Sequence, residues 1–160
     1  MLKRYKYDTM WKNNYNKYLF SDIDFSNIST FNDCDINLQN LFNMLLTGSI
    51  DVSQSKNVFI KIKNTAIAEI VKNKQTNIET ILKTVENIGL NKNNDYGSNN
   101  ILKYGIIGII VRIGDKIARL KNLMSNNTKQ SVLDEKIEDT LLDTINYATY
   151  GEMLSEGVWE

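Results

Sequence analysis

Between Lys92 and Tyr147 the chain sets charged residues inside segments that are otherwise apolar at helical spacing. The stretch reads Lys-Asn-Asn-Asp-Tyr-Gly at 92–97, then Arg-Ile-Gly-Asp-Lys-Ile-Ala-Arg-Leu at 112–120. Asp-Glu-Lys-Ile-Glu-Asp-Thr-Leu-Leu-Asp follows at 134–143 and runs on to Asn146 and Tyr147. Burying a charge is costly unless it is paired or binds something. The pattern therefore demands helices that bring these charges together, and it points to a site rather than a decorated surface.

Composition narrows the kind of site. The 160 residues suffice for one domain with a real core and a small appendage. Lys+Arg and Asp+Glu both number 19, so no global basic field exists to hold nucleic acid by counterion release, although a local basic patch is compatible. Histidine is absent, which removes both an imidazole-activated nucleophile and a His-liganded metal. Any metal would be a hard cation held by oxygen. The lone Cys34 has no partner for an internal disulfide and suits a reducing cytoplasm. Met1 to Tyr7 is basic but leads into no apolar stretch, and no run is long enough to span a bilayer. The expectation is a cytoplasmic protein with no membrane partner.

Apolar spacing predicts helices throughout. Trp11, Tyr15 and Tyr18 share a face over 8–20, and Ser21 to Asp35 reads as a loop. Leu38, Leu41, Phe42 and Leu45 mark a helix over 36–46, with Gly48 just beyond its end. Asn57 to Lys63 alternates weakly, as a strand does, but helix continuing through Ala66, Ile67, Ile70 and Val71 is preferred. A further helix spans 76–90, with Thr76 and Glu79 as capping pair and Gly89 closing it. The asparagine-rich stretches 91–100 and 122–127 read as turns. Between them Leu102–Leu123 is apolar over most of its circumference, as a central buried helix is. Ser131 or Asp134 caps a last helix running to about Leu154. The fold class is all-α, a helical bundle of four to six helices. Helices this apolar in a small domain commonly bury a face against a copy, so a homo-oligomer is expected.

Two polar rows stand out on the helical wheel. On 102–123, Arg112, Asp115, Lys116 and Arg119 gather opposite Ile106, Ile110, Ile113, Ile117 and Leu120, in line with Gly105 and Gly108. Glycine in a helix interior is unfavourable by roughly 0.5–1 kcal/mol, so the pair suggests something packed close to the backbone. Asp115 can pair with Arg112 and Arg119 along the helix, or the guanidinium groups can fork onto phosphate. On the last helix, Glu135, Asp139 and Asp143 recur every four residues and Asn146 returns to the same side. Such carboxylates repel unless a cation sits among them or basic residues face them. Oxygen ligation of this kind suits Mg²⁺, which bridges to substrate phosphates. Mutual neutralisation of the two rows, with no ligand, is the structural alternative.

The order Lys-Asn-x-Asp-Tyr-Gly, Arg-x-x-Asp-Lys-x-x-Arg-Leu and Asp-Glu-x-x-x-Asp-Thr-Leu-x-Asp-x-x-Asn-Tyr-Ala resembles the nucleotide modification associated domain 1 family, found largely in phages and prophages. The resemblance covers about residues 76–150. It implies a division into an N-terminal helical extension of unassigned role, 1–70, and a nucleotide modification associated helical domain, 71–160. It also implies Asn94, Asp95, Tyr96, Gly97, Arg112, Asp115, Lys116, Arg119, Glu135, Asp139, Asp143, Asn146 and Tyr147 as site positions. Clustered carboxylates on helices are similar to the MazG-type nucleotide pyrophosphohydrolases as well, in part only. Glu135 and Glu138 have Glu-x-x-Glu spacing, but a clear second pair is missing unless Glu79 and Glu86 supply it.

Three functions follow. The first is a Mg²⁺-dependent pyrophosphohydrolase acting on a nucleoside triphosphate. Glu135, Asp139 and Asp143 hold the metal and activate water, while Arg112, Lys116 and Arg119 neutralise phosphate charge. Tyr96 stacks on the base, and Asn94 or Asn146 reads its edge. The second is a metal-free binder, a sponge for a nucleotide or nucleotide-derived immune signal that counters host defence. The third is an adaptor whose charges form only an ion network.

Overall fold

The computed structural model describes residues 2–26, 28–96, 99–126 and 135–159, without the side chains of 2–8, 94–96, 99 and 126. Every regular element among them is helical, as the periodicity predicts. In chain order they are α1 (Leu2–Phe20), α2 (Phe31–Leu46), a single 3₁₀ turn (Val52–Ser55), α3 (Lys56–Lys74), α4 (Ile78–Tyr96), α5 (Asn99–Asn126) and α6 (Glu135–Ser155). None is long and apolar enough to cross a membrane.

Local chemistry sets the ends. The Thr30 side chain accepts from the Asp33 amide and caps α2, which therefore starts inside the segment expected to be loop. Asp51 and Gln54 form a reciprocal capping box on the 3₁₀ turn. Asn57 to Lys63 is helix, and α3 ends where Gln75 turns left-handed at φ 50°. The cap of α4 is one residue later than expected, for Asn77 Oδ1 accepts from the Thr80 amide at 2.8 Å. The same helix runs past Gly89 to Tyr96, and α5 already begins at Asn99. The Asn-rich segments 91–96 and 122–126 are thus helical: asparagine's local alternatives lose to tertiary packing on neighbouring helices. Ser131 and Asp134 lie outside the described residues.

The core corrects which helix is central. It is α6, packed most heavily on α3 and α5 and also against α1 and α4. Ile137, Leu141, Leu142, Ile145 and Ala148 are buried as expected, but so are Thr140, Thr144, Asn146 and Thr149. Thr140 and Thr144 each donate to the carbonyl four residues back, at 2.7 Å, so these polar side chains enter the core with their hydroxyls satisfied. Gly151 lets α3 approach closely: a Cβ there would lie 2.4–2.6 Å from three atoms of the Phe59 ring. By contrast α5 buries Ile106, Ile110, Ile113, Ile117 and Leu120 but leaves Tyr104 and Val111 more than half exposed.

Gly105 also departs from expectation. Its φ of 60° and ψ of −153° break α5, in a region of backbone space that only glycine enters readily. The break folds Tyr104 over Gly108, where a Cβ would meet the Tyr104 Cβ at 2.7 Å. The two glycines serve this bend; nothing lies within 4 Å of a Cβ built on Gly105. At the other end of the molecule Gly157 turns the chain with φ 69°, and Trp159 returns to the core against Trp11 and Tyr150.

Candidate functional site

The end of α4, the bent start of α5 and the middle of α6 enclose a cavity of about 340 Å³. Its lining is Lys92 and Asn93 from α4, Asn100, Ile101 and Arg112 from α5, and Asn146, Tyr147 and Tyr150 from α6. Bending at Gly105 positions Asn100 and Ile101 on one wall, while Tyr147 and Tyr150, three apart on one helical face, make another. Their rings meet edge to face with centroids 6.2 Å apart. Behind Tyr150 the aromatic cluster continues through Tyr15, Trp11 and Trp159, so this wall is rigid.

The basic row of α5 divides. Arg112 and Lys116, one turn apart, are half-buried and face α6, whereas Asp115 and Arg119 are exposed. The Arg112 guanidinium lies 5.7 Å from the centre of the Tyr147 ring, a cation–π arrangement that orients it on the cavity wall. Among the described residues no ion pair involves Arg112, Asp115 or Arg119, so the expected intrahelical pairs do not form.

The acidic row grades from water into the core. Glu135 and Asp139 are exposed, Asp143 is half-buried and Asn146 is buried. Asp143 accepts from Lys92 at 2.9 Å and lies 3.3 Å from Lys116, tying α4, α5 and α6 together beside the cavity. Glu138 pairs with Lys74 at 2.6 Å. Glu79 pairs with Lys83 on its own helix and Glu86 accepts from Asn16, so neither turns toward α6 as a second acidic pair would. Among the described residues no three carboxylate or thiolate groups gather as metal ligands do. Asp143, beside the cavity, is held by two ammonium groups, those of Lys92 and Lys116. The backbone of Asn94, Asp95 and Tyr96 closes α4, but their side chains and all of Gly97 lie outside the described residues.

Several contributors are invisible to motif spacing. Lys92 opens the motif yet reads as a surface lysine, and Tyr150 reads as core. Tyr15, 131 residues before Asn146, donates to its Oδ1 at 2.5 Å. Burial holds the Tyr15 hydroxyl well above the ordinary phenol range and pushes Tyr150 up to about 12, so both remain protonated near neutrality. Away from the cavity, Lys63 and Glu152 form a fully buried ion pair at 2.8 Å. Lys63 also donates to the carbonyls of Tyr18 and Ser21 at 2.9 Å each, closing the end of α1. Glu152 Oε1 has no hydrogen-bond partner among the described residues. Desolvation pushes its carboxyl up to about 7 against the pull of the Lys63 charge. In sequence Lys61 and Lys63 look alike, and only the packing of α6 on α3 separates them.

No curated protein and no solved structure matches the chain significantly. A family model does match part of it, from Lys92 at the cavity rim to Met153 in the core. Residues 92–153 match the model of the nucleotide modification associated domain 1, the family that the motif order resembles, and this segment holds every residue that lines the cavity.

Proposed function

We propose that the chain binds a nucleotide or nucleotide-derived molecule in the cavity between α4, α5 and α6. Lys92 and Arg112 receive the phosphate, and Tyr147 and Tyr150 lie beside the base. The observation that carries this reading is the half-buried Arg112 guanidinium, set over Tyr147 on the wall of a cavity that Lys92 also lines. A guanidinium forks onto phosphate oxygens, and aromatic faces accept any base. About 340 Å³ is the small end of the range for small-molecule pockets, which suits a mononucleotide better than a polymer. The family's association with nucleotide modification supports the same ligand class.

Binding of this kind needs cations and rings but no metal, so the sponge-like role is favoured over hydrolysis. The phage-type pyrophosphohydrolase is the second reading. It would require Asp143 to exchange its lysines for Mg²⁺ and the exposed Glu135 and Asp139 to turn inward. Self-association is also proposed, through the outer face of α5 where Tyr104 and Val111 are exposed. Light scattering on a sizing column reads it directly.

Calorimetric titration with nucleoside mono- and triphosphates, in chelator and then in Mg²⁺, tests the main reading, with the recovered ligand analysed by chromatography. The expected outcome is binding in chelator with ligand recovered intact, and a loss of about tenfold or more in Arg112→Gln. Release of pyrophosphate in Mg²⁺ would transfer the site to the hydrolase reading. Absence of binding across the whole panel would refute both.

A further inference from the structure

The family segment supplies the whole lining of the cavity, but one polar group of that lining, the Asn146 amide, is held from outside the segment. Tyr15 belongs to α1, far from residues 92–153 in sequence. It is wholly buried, stacked on Trp11 with centroids 5.1 Å apart and ring planes within 7°. Its hydroxyl has one proton and two acceptors in reach, Asn146 Oδ1 at 2.5 Å and the Val85 carbonyl at 3.3 Å. The shorter contact takes the proton.

We infer that Tyr15 is a positioning residue for the site: it fixes the Asn146 amide with its oxygen toward α1 and its NH₂ group toward the cavity, which selects a ligand that offers a hydrogen-bond acceptor there. This rests on the cavity being the ligand site. A primary amide has a carbonyl on one side and two N–H donors on the other. With the carbonyl engaged by Tyr15, the donors are left to the Tyr150 hydroxyl, which hydrogen-bonds with Asn146, and to the cavity that Asn146 lines.

The backbone of α4 locks the arrangement. A Cβ on Gly89 would stand 2.3 Å from the Tyr15 hydroxyl oxygen and 2.8 Å from Asn146 Oδ1, so α4 presses on both atoms at once. Only hydrogen fits at position 89. On that side neither the tyrosine nor the amide can move toward α4, and the amide can reverse only if the hydroxyl gives up the 2.5 Å contact and sends its proton to the more distant Val85 carbonyl at 3.3 Å. The donor at the cavity floor is therefore built by three helices, two of which reach it through residues that precede the family segment. An acceptor here is a phosphate oxygen, a ring nitrogen or a base carbonyl; an exocyclic amino group in this place is rejected.

The test uses the full chain, uridine monophosphate as probe, and side-chain amide resonances assigned by comparison with Asn146→Ser. In the wild type the Asn146 NH₂ pair is expected to move as the probe saturates. Tyr15→Phe, which removes only the hydroxyl, is expected to keep a cooperative melt, to lose that response and to bind the probe about tenfold more weakly. Binding within about twofold of wild type by Tyr15→Phe overturns the inference. So does an Asn146 NH₂ pair that stays still while the probe saturates the wild type, a result independent of how well the variant folds. A wild type that binds neither this probe nor any other nucleotide sinks the nucleotide reading and this inference with it.

Discussion

Glu152 sits beside Lys63 with no exposed surface, and two opposing effects act on its charge. Desolvation favours the neutral acid, and the Lys63 ammonium favours the carboxylate; the balance pushes the carboxyl from 4.5 up to about 7. In the unfolded chain the group loses its proton near 4.5. Between there and about 7 the folded protein therefore keeps a proton that the unfolded chain has released. Stability from this group is complete below the unfolded value and is lost as pH rises toward the folded one. At about 1.4 kcal/mol per pH unit, the fall is on the order of 3 kcal/mol. Glu152→Gln keeps the shape and an oxygen for Lys63 but carries no proton to lose. The variant should match the wild type near pH 5 and exceed it at pH 8 by up to about 3 kcal/mol, since a buried pair is often no better than a neutral replacement. Urea denaturation at fixed ionic strength from pH 5 to 8 measures it. Glu156 and Asp24 are shifted down, so their contributions change at more acidic pH and leave the window clear. A variant that loses about 3–5 kcal/mol at pH 8, the cost of breaking a net-favourable buried pair, would refute the reasoning. So would one that keeps the wild-type slope.

Lys63→Met should be far more damaging than Glu152→Gln, by about 3 kcal/mol or more in the same denaturation assay, because the carbonyls of Tyr18 and Ser21 lose their donor as well. Gly151→Ala should lower stability by about 1–3 kcal/mol, since the new methyl group meets the Phe59 ring and α3 must move off α6. A thermal melt equal to wild type would disprove that close approach. Asp143→Asn should tighten nucleotide binding several-fold while changing stability by about 1 kcal/mol or less, because it removes a negative charge beside the phosphate site and releases Lys116 from its ion pair. Weaker binding in calorimetry would show instead that Asp143 orients the lysines.

Helices were legible because their apolar residues keep one period over long runs, as Ile106 to Leu120 and Ile137 to Ala148 do. Their rank in the core was not. The helix α6 looks amphipathic until its threonines are seen to satisfy themselves on their own backbone, while α5 looks central although Val111 and Tyr104 face outward. Gly105 signalled something special about the backbone, but a residue type cannot distinguish a close contact from a change of φ. At the site, Arg112, Asn146 and Tyr147 were readable from spacing and motif, and all three line the cavity. Spacing could not divide Arg112 and Lys116 from Asp115 and Arg119, because that division depends on where α6 crosses α5. Nor could it reveal Tyr15, Gly89, Lys63 or Glu152, whose roles arise from contacts between helices distant in the chain.

A crystal structure with a nucleoside monophosphate, grown in chelator, tests the location of the site most directly. Density for the phosphate between Lys92 and Arg112, with the base against Tyr147 or Tyr150, is the predicted result. Density instead over the exposed carboxylates of Glu135 and Asp139, or in the separate groove that Leu38 and Phe42 form with Val111, would contradict it.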